Sequence, residues 1–165
     1  MRKILLLLPI LCLSLAAHAA QRTQVTGLWQ TFYEGTNTPK SIIRVYESNG
    51  VVYGEIVVTF RKDGTPNVVK NEQGGVVCDT SVKAENMRGA PPFCGLIVLK
   101  DLRRNNRGVY TGGTILNPER DKTYRAEIWL DNDGNLKIRG RWSIFRRTFT
   151  ALPITEEQLK AIFTL

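Results

Sequence analysis

Apolar and polar residues alternate through most of the chain, the period of strands that bury one face. The run VTGLWQTFY (25–33) opens the pattern, with Val25, Gly27 and Trp29 on one face. After a polar break through Pro39, the runs SIIRVYES and VVYGEIVVTF flank Asn49-Gly50. Asn-Gly accepts the positive φ of a type I′ turn, so these runs predict a hairpin. In its second strand Val52, Gly54, Ile56, Val58 and Phe60 share a face. The alternation lapses over residues 61–93, where Gly74-Gly75, Pro91-Pro92 and scattered charge predict a long excursion.

The alternation resumes in CGLIVLKDL, the basic turn RRNNR and GVYTGGTIL. The turn NPERDK leads to TYRAEIWL, with Tyr124, Ala126, Ile128 and Leu130 on one face. DNDGN leads to LKIRGRW, where Leu136, Ile138, Gly140 and Trp142 do the same, and SIFRRTFTAL follows closely. About eight short strands joined mainly by tight turns predict one all-β antiparallel barrel or sandwich. The period changes only at the end. There Thr155 and Gln158 have capping-box spacing and Ile154 and Leu159 that of a hydrophobic staple, so EEQLKAIF predicts a short helix. Its Leu159, Ile162 and Phe163 should pack on the barrel or across one opening.

The first residues change the picture of where the chain works. Arg2 and Lys3, the apolar run Ile4 to Leu15, and Ala17-His18-Ala19 together predict a secretory signal cleaved after residue 19. The bulky Leu11 before Cys12 argues against a lipoprotein signal, and no later stretch is long or apolar enough to span a bilayer. The expected mature domain is residues 20–165, in the periplasm or outside the cell. Its formal charge falls by two, from +8 to +6, and its only histidine, His18, is lost. That removes Ser-His-Asp and Cys-His catalysis and the usual histidine-containing zinc and haem sites. No metal and no cofactor are expected. Two cysteines remain, Cys78 and Cys94. In an oxidising compartment, without the Cys-x-x-Cys spacing of redox pairs, they predict a structural disulfide.

Arg147 falls on the same face of its strand as Phe145, Phe149 and Ala151. An arginine among apolar residues can stack on an aromatic ring. First and last strands meet when a barrel closes, so Arg147 is expected over Trp29, with Gly27 leaving room for the ring. This Gly-x-Trp and late Arg resemble the lipocalin and wider calycin barrels. A broader resemblance rests on GLWQT, YGEIV, GLIVLKDL, GGTILNPERDKTYRAEIWL, LKIRG and RRTFT, in that order. Together they resemble the domain-of-unknown-function 2147 family of small exported bacterial proteins. The resemblance implies a lipocalin-like antiparallel barrel without an established common activity. It carries over most strongly to Gly112-Gly113, Pro118, Lys122-Thr123-Tyr124, Gly140 and Arg147-Thr148. The chain departs from the family pattern at Asn117, Asp121 and Ala151.

Candidate chemistry is sparse. DNDGNLKIRGRW starts like a calcium loop, but Leu136 and Trp142 stand where an EF-hand needs glycine and glutamate, so a hairpin turn is expected. Glu119 and Asp121 near Tyr124 read as turn residues, and no catalytic residue is nominated: the protein is not expected to be an enzyme. Lys137, Arg139 and Arg141 share an outward face with Arg125 on the neighbouring strand, while Lys100, Arg103, Arg104 and Arg107 crowd one turn. For an exported chain without a nucleic-acid signature, these point to anionic lipid headgroups or an acidic protein rather than nucleic acid. The leading expectation is a small apolar or amphipathic ligand in a cavity of a few hundred Å³. Val25, Tyr124, Ile128, Ile138 and Phe149 would line it. The alternative is a solid barrel that acts through its basic outer face and the 61–93 loop.

Overall fold

A computed structural model describes residues 23–164. The expected signal, with Cys12 and His18, lies outside the described residues. The strands are β1 (Gly27–Phe32), β2 (Pro39–Ser48), β3 (Val51–Thr59), β4 (Val68–Lys70), β5 (Val76–Cys78) and β6 (Ile97–Arg104). They continue as β7 (Tyr110–Asn117), β8 (Lys122–Leu130), β9 (Leu136–Trp142) and β10 (Phe145–Ile154), before helix α1 (Glu156–Ile162). Eight of them form a closed antiparallel barrel in the order β1-β10-β9-β8-β7-β6-β3-β2. The expected all-β, lipocalin-like barrel is therefore present. Asn49 and Gly50 take φ of 52° and 74°, as the β2–β3 hairpin requires.

The barrel has two apolar clusters, one on each side of its wall. Trp29, Val45, Val52, Leu102, Ile128 and Leu136 belong to the inner one. Leu28, Ile42 and Val58 belong to the outer one, together with Phe60, Ile154 and Leu159. Val58 and Phe60 thus leave the face expected from simple alternation. Ile43 pairs with Ile56 but Ile42 with Val58, so the intervening Val57 is a bulge, and this extra residue reverses the facing of Val58 and Phe60.

Helix α1 seals the outer cluster and does not cap an opening. Thr155 accepts from the Gln158 amide at 3.2 Å while its own amide donates to Gln158 Oε1 at 2.8 Å, the expected capping box. Leu159 is buried, and Arg44 on β2 holds Glu156 at 2.8 Å. Among the described residues no helix is long and apolar enough to cross a membrane.

The 61–93 excursion has more order than its glycines and prolines suggested. β4 and β5 form a small hairpin that opposes Val68 and Cys78. The Cys78–Cys94 disulfide ties this hairpin back to the start of β6, with 6.2 Å between Cα atoms. Val68 and Cys78 also pack on the outer cluster.

Barrel closure differs from expectation in one respect. β1 meets only the far end of β10, with Trp29 opposite Pro153. Arg147 lies six positions earlier, opposite Gly140, about 20 Å away along the strand. It does not stack on Trp29; it forms an ion pair with Glu34 and is largely exposed. The stagger of the closing strands separates residues that the face pattern alone would join. Gly27 has a φ of 127°, a backbone conformation that favours glycine.

Candidate functional site

The barrel is a cup, packed at one end and open at the other. The packed floor centres on Trp29, which is wholly buried and donates its indole N–H to the Val25 carbonyl at 2.8 Å. A cavity of about 1100 Å³ fills the other half. Ile43, Ile56, Leu99, Ile115, Ile138 and Phe149 contribute to its apolar wall. Gly140 faces it as well; a Cβ there would make ordinary contacts, with Ile115 at 3.6 Å and Tyr124 at 3.8 Å.

The rim is polar and mostly cationic. It carries six cations (Lys40, Arg61, Lys62, Arg120, Arg146 and Arg147) against two carboxylates, Glu34 and Glu119. Both carboxylates are paired: Glu34 with Arg147, and Glu119 with Lys40 at 2.8 Å. Lys40 Nζ also sits 5.7 Å from the centre of the Tyr33 ring. The Tyr33 hydroxyl donates to the Phe60 carbonyl at 2.7 Å. Burial, then the Glu119 and Asp63 carboxylates, push its phenol above the usual value. These contacts form a ring of pairs around the mouth of the cavity. It is arranged to hold the loops of one rim together and to leave an excess of positive charge.

Tyr124, Ile138 and Phe149 reach the cavity. Val25 and Ile128 instead pack in the core with Trp29, because the inner faces of their strands extend past the hollow half. Val25 borders a separate depression of about 900 Å³ at the packed end, with Arg44, Tyr46 and Arg104. Of the cavity wall, Ile43, Leu99 and Ile115 are not singled out by the sequence pattern, and Ile56 is marked only as sharing a face with Val52 and Gly54. Alternation assigns a residue to the inner face but does not reveal which stretch of that face stays unfilled.

The basic stripe faces outward as expected, but it is neither bare nor uniform. Lys137 contacts Asp131 at 3.2 Å, and Arg139 and Arg141 share Glu127 at 3.3 and 2.9 Å. Arg139 also lies 4.6 Å over the Trp129 ring. Arg125 and Arg141 stand opposite one another across β8 and β9. Asp131 serves its own turn by accepting from the Asp133 and Asn135 amides at 3.0 and 2.9 Å. Burial works to raise its pKa, but hydrogen bonds from Asn135 and Lys137 outweigh it and hold the carboxyl low. The expected hairpin turn is therefore what DNDGN forms.

A family profile described as "Uncharacterized protein conserved in bacteria (DUF2147)" matches residues 27–151. The chain belongs to this family. The matched segment of the DUF2147 protein runs from β1 into β10 and so spans the cup and its rim. Among solved structures, the DUF2147 chain is similar to protein HP1028 of Helicobacter pylori, which belongs to the lipocalin family. The two share 21% identity with a TM-score of 0.59, over 84% of this chain and 88% of that one. This likeness shows a common fold. No curated protein matches the DUF2147 chain.

Proposed function

We propose that the mature protein is a non-catalytic carrier in the periplasm or outside the cell, taking a small lipid- or fatty-acid-like molecule into its barrel. The cavity carries this reading. Its volume of about 1100 Å³ stands at the upper end of ligand pockets, which run to roughly 1000 Å³. It is larger than the few hundred Å³ expected from strand number. An apolar chain would lie along Ile43, Leu99 and Ile138, and an anionic head would meet the excess rim cations Arg61, Lys62, Arg120 and Arg146. The lipocalin-like fold supports carriage, and the signal-like N-terminus supports export. The pairing of both rim carboxylates, and a chain without histidine after the signal, support a role without catalysis.

The test is uptake of an apolar fluorescent probe by the purified mature protein, and its displacement by fatty acids. Gly140→Leu, which places a side chain in the hollow, should weaken uptake while the fold persists. A wild-type barrel that takes up no probe would overturn the carrier reading. A second reading, contact with an anionic envelope surface or acidic protein through the outer wall, is favoured by the opposed Arg125 and Arg141.

A further inference from the structure

We propose that the β9–β10 hairpin is a docking finger that seats the open rim on an anionic lipid bilayer. The tip is apolar where a turn should be polar. Trp142 and Phe145 pair across a two-residue turn, Ser143-Ile144, with Ser143 at φ 52°. Such positions ordinarily take Gly, Asn or Asp, as Asn49-Gly50 does in the same barrel. Here Ile144 is 83% exposed, Trp142 66% and Phe145 65%. The two rings stack with centroids 6.2 Å apart, so the tip is a preformed apolar wedge. Clustered exposed apolar groups of this size mark a contact surface, and tryptophan beside aliphatic groups suits the bilayer interface.

The charge next to the wedge selects the partner. Arg125, Arg141 and Arg146 stand in one cross-strand row. Like charges placed directly opposite destabilise a sheet unless something neutralises them. Glu127 meets Arg141, but it also serves Arg139. Arg146 and Arg147 come directly after the wedge and belong to the cavity rim, as do Trp142 and Phe145. In a two-fold contact through the tip, a second copy of the chain would bring a second set of the same arginines to the interface. An anionic bilayer offers an apolar layer for the wedge and phosphates for the arginines at the right relative depth. Docked in this way, the cavity opens towards the lipid. That last consequence rests on the carrier reading; the docking itself does not.

The test uses the mature protein and vesicles of phosphatidylcholine with or without phosphatidylglycerol. Binding should require phosphatidylglycerol, weaken as salt rises, and shift tryptophan emission to the blue, a shift that Trp142→Phe should abolish. Ile144→Asp with Phe145→Ser should weaken vesicle binding at least roughly tenfold, as loss of an interfacial anchor does, with the circular dichroism unchanged. Arg141→Glu with Arg146→Glu should do the same. Absent vesicle binding by the wild type, or binding untouched by both double variants, would overturn the proposal. Self-association that the tip variants abolish, without lipid binding, would assign the wedge to a second copy instead. Probe uptake distinguishes the two proposals. Ile144→Asp alone, at a residue outside the cavity lining, supports docking alone if it keeps uptake but loses vesicles, whereas a wild type that binds vesicles without taking up probe leaves docking standing and ends the carrier reading.

Discussion

Trp29 and Arg147 both belong to inward-facing rows of the barrel, yet one lies in its packed floor and the other at its open rim. Trp29→Ala should cost about 3–5 kcal/mol, because it empties the centre of the floor. Arg147→Ala removes an exposed ion pair and should cost about 1 kcal/mol or less. Separated by most of a strand, the two losses should add. Denaturant unfolding of the two single variants and the double variant checks this. A coupling energy well above about 0.5 kcal/mol would contradict the separation of the two side chains.

The excursion after β3 depends on its cross-link. Removing Cys78–Cys94, which spans 16 positions, should cost about 3 kcal/mol in the chain-entropy view. Mass spectrometry with alkylation before and after reduction should show no free thiol in the mature protein, whose N-terminus should fall near Ala20 or Gln21. Two alkylated cysteines without reduction would contradict the bond.

Glu156 makes stability depend on pH. The hydrogen bond from the Arg44 guanidinium holds its carboxyl below the ordinary value of 4.5. The folded value is depressed, so this stabilisation is complete above pH 4.5 and disappears as the pH falls through the lower folded value. Wild-type stability should therefore fall more steeply than that of Arg44→Gln below pH 4.5. The two curves should converge in strong acid. Parallel urea midpoints across that range would show that the pair contributes nothing.

Gly113 is a steric prediction. A Cβ at this position would lie 2.0 Å from the Lys100 carbonyl oxygen and 2.7 Å from the Leu102 nitrogen. Those are backbone atoms of β6 and cannot turn aside as a side-chain tip can. Gly113→Ala should therefore lower the melting temperature markedly, while Gly140→Ala, with ordinary contacts around its Cβ, should not. Equal melting temperatures for the two variants would refute the close approach.

The parts of this protein that depend on near neighbours were legible from the chain alone. Period-two alternation marks the barrel strands, Asn49-Gly50 marks a turn, and Thr155 with Gln158 marks the start of α1, since each works over a few residues. The pairing of Cys78 with Cys94 followed from there being no other cysteine in residues 20–165. Features set between distant strands were not legible. The bulge at Val57 turned Val58 and Phe60 outward, and the stagger of β1 on β10 carried Trp29 away from Arg147. Glu127 became the shared partner of Arg139 and Arg141 only when β8 lay beside β9. Even the site is divided this way: the chain names Tyr124, Ile138 and Phe149 as inward residues, but the hollow they border is a property of closure. Side-chain direction is decided locally by the pleat, whereas register and unfilled volume are decided by which distant backbone hydrogen bonds form together.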